Sequence, residues 1–321
     1  MSSSAQASQS TQLDTVLRSG IAGGTAGCVA KTVVAPLDRV KILFQTSNPD
    51  FQKYSGSWSG VYRAGKEIYV TAGLRGLFQG HSATLIRVFP YAGINFMAYD
   101  EIRRFIIPRR EAETNFRRFA AGALAGVTSV FFTYPLELIR VRMAFQTRTY
   151  GKTDVRPSFT SAFREIYHEH ARTPTSAKSL LNKFPLFKFY RGFTVTTVGI
   201  IPYGGTSFLT WDFLRSKLLP RTPSGKKQSH PVADLAMGAV AGATSQTASY
   251  PFEVIRRRMQ VGGVTQPDRW LRWGETIRTI WQTHGWRGFY VGLSIGYLKI
   301  VPMKAVSFTM WQVGKRILGI D

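Results

Sequence analysis

The sequence is poor in cysteine, histidine and acidic residues. Its single cysteine, Cys28, excludes an internal disulfide framework, and its five histidines are scattered without the spacing of metal ligands. Only 18 Asp and Glu stand against 42 Lys and Arg, which leaves a net charge of +24. Redox and zinc chemistry are therefore excluded as the basis of function, and the charge is not that of an ordinary cytosolic enzyme.

A phosphate-binding loop is also absent. The run Gly151-Lys152-Thr153 imitates the end of such a loop, but Gln146 stands where its first glycine belongs. An ATP-driven pump or a nucleotide hydrolase is therefore not favoured.

What is abundant is apolar surface. Hydrophobic residues make up 44% of the chain, aromatic residues 13% and charged residues only 19%. This composition is too hydrophobic for a disordered basic tail and requires a large buried or lipid-facing surface. Nucleic-acid binding is a further reading of the positive charge. The bases are split among loops and helix ends rather than forming one stripe, which argues against it.

Three related segments show that the chain is built from repeats. They are APLDRVKILFQ, YPLELIRVRMA and YPFEVIRRRMQ, and in each a proline is followed by an acid two residues later and a base five residues later. A second proline follows in every repeat, ten residues after a glycine. We assign repeats to residues 13–112, 113–226 and 227–321, with a loop insertion near 171–185. The polar residues 1–12 show no targeting peptide and are expected to form a disordered lead.

Each repeat contains two stretches long enough to cross a membrane. Residues 119–136, 192–211 and 235–252 carry no formal charge, and a bilayer core requires roughly 20 residues. By symmetry, residues 19–37, 80–99 and 292–311 are their partners, so six transmembrane helices are predicted. The amphipathic stretches WSGVYRAGKEIYV and WGETIRTIWQTHG are typical of short interfacial helices.

Together these motifs resemble the mitochondrial carrier family from about residue 13 to residue 318. The resemblance implies an all-α membrane protein, with six tilted transmembrane helices in three pseudo-symmetric two-helix repeats around a central cavity. It also implies transport rather than catalysis, in the inner mitochondrial membrane and by alternate opening to each side. Six spans place both termini on one side, which the resemblance identifies with the intermembrane space.

The resemblance implies that the charges of the repeats form two gates. By resemblance, a matrix gate pairs Asp38 with Arg140, Glu137 with Arg256 and Glu253 with Lys41, and is braced by Gln45 and Gln260. The second repeat has Ala144 at the brace position. A cytoplasmic gate would use two aromatic-acid-base sets and a defective third one, in which Gln312 replaces the acid. Its residues are Tyr99, Asp100, Arg103, Trp211, Asp212, Arg215, Trp311 and Lys315.

Four further cations predict the substrate site. Lys31, Arg87 and Lys299 lie inside their spans without an obvious gate role, and Lys304 lies close by. Buried cations without acid partners favour an anionic ligand, although they could instead extend to the lipid head groups. At the position equivalent to Arg87 stands Gly199.

We expect Gly199 to leave room for a flat ring, with Ile200 and Tyr203 supplying apolar and aromatic surface. Simple helix packing is the alternative explanation of this glycine.

Within the family, the sequence looks most like carriers of coenzyme A or of adenosine 3',5'-diphosphate. This resemblance implies coenzyme A as a transported substrate rather than as a cofactor, with cofactors and metals absent. Adenine nucleotides and phosphate are alternative substrates, and a transport-inactive scaffold is a further alternative. The expected partners are the anionic substrate and membrane lipid, of which cardiolipin is the expected species, but no nucleic acid. A monomer is expected.

Overall fold

Helices make up the described part of the chain. The computed structural model describes residues 2–109, 113–147, 158–169, 185–218, 231–266 and 271–319, and no strand occurs among them. Two 3₁₀ helices lie at Pro185–Tyr190 and Gly285–Tyr290. The α-helices, in chain order, are α1 (Ser2–Gln45), α2 (Pro49–Gln52), α3 (Trp58–Leu77), α4 (His81–Ile106), α5 (Asn115–Phe145), α6 (Phe159–Tyr167), α7 (Phe193–Leu218), α8 (Pro231–Thr265), α9 (Trp273–His284) and α10 (Leu293–Leu318).

The six long helices form a closed ring. Helix α4 packs along α5, α7 along α8, and α10 along α1, so the largest contacts join neighbouring repeats. The first helices of the three repeats, α1, α5 and α8, also contact one another, and the ring therefore narrows where they meet. Each long helix contains one interior proline, as the repeats predicted. The predicted fold class is confirmed.

The outer surface of the ring is apolar. Large side chains such as Phe96, Phe105, Leu209 and Val301 are 72%, 89%, 74% and 75% exposed. Exposed apolar surface of this extent is typical of lipid contact rather than of a soluble protein. By length and mean hydropathy, three stretches of the described chain qualify as membrane spans: Arg18–Gln45, Phe116–Phe145 and Trp273–Leu318.

All six long helices extend past the C-terminal ends predicted for them, by at least seven residues. Three of the predicted spans ended early because a charge-free window stops at the first acid or base, and the other three were given matching ends by repeat symmetry. In the structure, the charged residues near the ends of α1, α5 and α8 pair with one another instead of facing lipid.

The expectation of a disordered segment at residues 1–12 was wrong for the described residues, because α1 begins at Ser2. Residues 2–19 contain neither glycine nor proline. Helix propagation is easier than nucleation, so a helix held in place downstream can extend through this polar stretch.

A glycine turn precedes the second long helix of every repeat. Gly80, Gly192 and Gly292 have φ values of 83°, 83° and 84°, which other residues rarely adopt. A Cβ atom on Gly80 would lie 2.8 Å from the carbonyl oxygen of Arg140. The turn therefore brings the start of α4 against the charged end of α5.

The short helices lie beside these turns. The two amphipathic stretches predicted as helices are confirmed as α3 and α9, and α6 is their counterpart in the second repeat. Helix α3 packs against α1 through Ala64 and Ile68, which are buried with Leu43 and Phe44. The insertion predicted near 171–185 lies outside the described residues except for Pro185, which begins a 3₁₀ helix.

Candidate functional site

Three ion pairs close one end of the ring. Arg140 bonds Asp38 at 2.8 Å, Arg256 bonds Glu137 at 2.6 Å and Lys41 bonds Glu253 at 2.9 Å. Every pair joins the acid of one repeat to the base of the next, as the family resemblance implied. We call these six residues the closed end. The Asp38 and Glu137 side chains are only 9% and 5% exposed, so both acids depend on these bases for compensation.

Two glutamine braces lie behind the ion pairs. Gln45 donates to the Tyr250 hydroxyl at 3.0 Å, and Gln260 donates to the Tyr134 hydroxyl at 3.1 Å. These tyrosines in turn donate to the carbonyl oxygens of Val291 and Arg191. Sequence reasoning found the glutamines but missed the tyrosines, although each tyrosine directly precedes a repeat proline.

The third brace lacks both its glutamine and its tyrosine. Ala144 stands at the glutamine position of the second repeat, and Ala35 stands at the tyrosine position of the first. Both alanines are buried, and they lie on α5 and α1, the two helices joined by the Asp38–Arg140 pair. The contact between the first and second repeats therefore lacks a brace that the other two contacts have.

We expect Tyr250→Phe to lower the melting temperature of the purified protein. The Tyr250 hydroxyl joins Gln45 to the Val291 carbonyl, and its loss leaves buried polar groups unpaired. Such a loss costs about 1–3 kcal/mol, or about 2–6 °C. Tyr69→Phe is the matched control, because Tyr69 is 56% exposed. Equal shifts in the two variants would contradict the brace.

Two cations of the predicted substrate site already have acid partners. Lys299 bonds Asp38 at 2.7 Å, and Arg87 bonds Glu137 and lies over the Tyr91 ring. The expectation that these cations lack counter-ions was therefore wrong. The sequence assigned Asp38 and Glu137 one partner each, but a carboxylate has two oxygens and can accept several donors. The alternative of extension to the lipid head groups is excluded for both residues in this state.

Lys31 differs from the other two cations. It makes no hydrogen bond or ion pair within the described part of the chain, yet it interacts electrostatically with Asp38, Arg140, Arg87 and Lys299. It therefore lies beside the closed end as a free cation.

The region around the closed end has a large excess of positive charge. Glu137 also accepts a bond from Arg257 at 2.9 Å, a contact that sequence reasoning missed because Arg256, Arg257 and Arg258 form one run. Three acids thus face seven bases: Lys31, Lys41, Arg87, Arg140, Arg256, Arg257 and Lys299. The excess of four charges near one axis is suited to a polyanion.

Gly199 is a packing glycine. A Cβ atom placed on it would lie 3.1 Å from Cβ of Phe252, so α7 and α8 approach closely at this point. A side chain at position 199 would be crowded by Phe252, which supports the packing alternative for this glycine. Tyr203 is half exposed, Ile200 is partly buried and Lys304 is exposed. No described contact joins these three residues to the cations of the closed end.

We expect Gly199→Leu to destabilise the folded protein and therefore to lower the uptake of every substrate by a similar factor. Overpacking costs about 1–3 kcal/mol, or about 2–6 °C in melting temperature. Phe252→Ala in the same chain should restore part of the loss by giving the new side chain space. Gly205→Leu is the control on the same helix, because a Cβ atom there meets open space. A loss confined to adenine-bearing substrates would favour the ring interpretation instead.

The opposite end of the ring is not assembled. We call Asp100, Arg103, Asp212, Arg215 and Lys315 the open end. Within the described ranges, no ion pair joins either aspartate to a base. Arg103 bonds Glu113 at 3.0 Å, and Lys315 lies 4.7 Å from the centre of the Trp311 ring. Of the other predicted aromatics, Tyr99 and Trp211 are partly buried. The predicted cytoplasmic gate is therefore open in this state.

A helical ring with one end held shut by ion pairs and the other end open defines a membrane carrier. The family model for mitochondrial carrier proteins matches residues 12–110, 111–222 and 227–321. The chain therefore belongs to the mitochondrial carrier family, whose members are transporters of mitochondrial membranes rather than enzymes.

Relatives of the chain are similar over almost their whole length. It is 48% identical to an uncharacterized mitochondrial carrier of Schizosaccharomyces pombe, over 99% of both chains. It is 44% identical to the mitochondrial carrier protein LEU5 of Saccharomyces cerevisiae, over 96% of this chain and 92% of the relative. It is 39% identical to the human mitochondrial coenzyme A transporter SLC25A42, over 94% of this chain and 88% of the relative.

Proposed function

We propose that this carrier moves coenzyme A, or an adenosine 3',5'-diphosphate type of cofactor, across the inner mitochondrial membrane by alternating access. The observation that carries the proposal is the excess of four positive charges at the closed end. Coenzyme A carries several phosphate charges on one small molecule. The name of the human coenzyme A transporter among the relatives supports the same choice.

Binding and gating use the same cations in this proposal. Lys31 makes no ion pair within the described part of the chain, and it is the first cation that a phosphate entering from the open end meets. Arg87 and Lys299 then exchange Glu137 and Asp38 for phosphate oxygens. Because a ligand shifts an equilibrium only by its differential affinity, this exchange is how substrate weakens the closed end.

The remaining residues have supporting roles. The three ion pairs and their braces form the matrix gate, and the open end forms the cytoplasmic gate. Ile200, Tyr203 and Lys304 contact the substrate on the α7 and α10 side of the cavity. Both termini lie on the intermembrane-space side. The carrier works as a monomer without a cofactor or a metal, does not bind nucleic acid, and contacts cardiolipin through its basic surface.

An uptake screen in liposomes tests the proposal. Purified protein is reconstituted, and uptake is measured for labelled coenzyme A, dephospho-coenzyme A, adenosine 3',5'-diphosphate, ATP, ADP and phosphate. Saturable uptake of coenzyme A above the other compounds supports the proposal. Preference for ATP, ADP or phosphate would assign the alternative substrates, and a folded protein that takes up none of them would be a scaffold.

A further inference from the structure

The place of the missing brace lies beside a turn glycine. In the contact between the third and first repeats, a Cβ atom on Gly292 would lie 3.1 Å from the Tyr250 hydroxyl and 3.6 Å from Cγ of Gln45. In the contact between the first and second repeats, a Cβ atom on Gly80 would lie 3.3 Å from the backbone nitrogen of Ala144. Ala144 therefore occupies the place that Gln45 has in the braced contact, but its methyl group can make no hydrogen bond.

A glutamine of the first repeat reaches the same place from the other side. Gln79 directly precedes Gly80, and its side chain donates to the carbonyl oxygens of Met143 at 2.7 Å and Gln146 at 3.1 Å. Both acceptors lie at the C-terminal end of α5 in the second repeat, where carbonyl groups lack partners within the helix. In the two braced contacts the glutamine belongs to the following repeat, so the direction of the bond is reversed here.

A buried arginine holds the same helix end. Arg39 of α1 is 4% exposed, and its guanidinium donates to the carbonyl oxygens of Gly76 and Gln146, to the latter at 3.3 Å. The equivalent positions of the other repeats hold Leu138 and Val254, which are fully buried. A cation is favoured at the C-terminal end of a helix, because the unpaired carbonyl groups there carry partial negative charge. The end of α5 thus gives a buried arginine acceptors at a position where the other repeats have aliphatic side chains.

We propose that Gln79 and Arg39 form the third brace of the closed end, in place of the absent glutamine and tyrosine. Both side chains belong to the first repeat and both donate to the Gln146 carbonyl, so they join this repeat to α5 near the Asp38–Arg140 pair. They are positioning residues, because they bind a helix end and not the substrate. Opening of the closed end between the first and second repeats breaks this brace. The inference rests on the proposed transport cycle, because only a carrier that alternates opens this end.

A cysteine at position 261 reports opening of the closed end. Val261 is 1% exposed and packs among side chains of α1 and α5 at the place where these helices meet α8. In a chain that carries Cys28→Ala and Val261→Cys, a soluble maleimide reaches the single thiol only when the three helices part. The labelling rate, measured in detergent well below the melting temperature, therefore follows the population of the opened end.

Gln79→Leu nearly keeps the size of the side chain but removes its donor. We expect it to raise the labelling rate about twofold to tenfold and to lower the melting temperature by about 1–4 °C, because one or two hydrogen bonds are lost. Arg39→Leu installs the residue type of the second repeat and should raise the labelling rate at least as much. Gln45→Leu breaks a brace of the usual kind and is the positive comparison. Gln282→Leu is the control and should change neither value, because Gln282 is exposed on α9.

A helix cap that stays in place throughout the cycle would behave differently. Its loss would weaken the open and closed states alike, so the melting temperature would fall while the labelling rate stayed at the unmodified value. An unmodified labelling rate in either Gln79→Leu or Arg39→Leu overturns the proposal. Uptake of coenzyme A by the unmodified carrier decides the proposed function separately, because labelling is measured without substrate.

Discussion

Arg87→Ala and Lys299→Ala should each reduce coenzyme A uptake about 10-fold to 150-fold. This range corresponds to the loss of a charged hydrogen bond of about 1.5–3 kcal/mol from substrate binding. Both side chains reach the axis in the structure, where they bond Glu137 and Asp38. Initial rates of uptake into liposomes are the measurement, made on variants that still insert and remain folded.

The control must separate the loss of a substrate contact from the loss of a general positive charge. Arg104→Ala removes an exposed cation whose partner, Glu101, lies on the same turn of α4. It should leave uptake near the unmodified rate. Arg87→Lys keeps the charge and should retain more uptake than Arg87→Ala. Unchanged uptake in both Arg87→Ala and Lys299→Ala would refute the assigned site.

Glu137→Gln should be the most destabilising single change among the three acids of the closed end. Its carboxylate accepts bonds from Arg87, Arg256 and Arg257, and its side chain is 5% exposed. Removing one partner of a buried ion pair costs about 3–5 kcal/mol, which corresponds to a fall of about 6–12 °C in melting temperature. Uptake should also fall, because the ion pairs that keep the closed end shut are weakened.

Glu253→Gln is the matched comparison. Glu253 has one cationic partner within bonding distance in the described structure, Lys41, and its side chain is 27% exposed. Its replacement should lower the melting temperature by no more than half as much as Glu137→Gln. Equal losses in the two variants would show that the two acids contribute equally to stability, contrary to their unequal numbers of cationic partners.

Much of the closed end could be predicted because its acids and bases lie at fixed distances along the sequence from the repeat prolines. An acid two residues after a proline and a base five residues after it, repeated three times, fix which charges lie at equivalent helix ends. Closure of three equivalent units into a ring then leaves few pairings, and resemblance supplied the direction. The tyrosines of the braces were within reach of the same reasoning, since each precedes its proline, but their partners lie 205 and 126 residues away.

The open end shows a limit of such reasoning. The ion pair between Arg103 and Glu113 was not visible in the sequence, because Glu113 lies outside the motifs that recur in the three repeats. A recurring motif predicts what its equivalent positions do and gives no information about the residues between motifs.

The sequence by itself determined the family, the three repeats, the six helices and the charges that lie at their ends, because proline, glycine and charge recur at fixed spacing. Only the tertiary structure decided that Arg87 and Lys299 are paired, that Gly199 meets Phe252, and that Arg103 reaches Glu113. The reason is geometric. Each residue turns a helix by about 100°, so the partner of a side chain depends on the rotation, tilt and bend of two helices, which neither helix encodes alone.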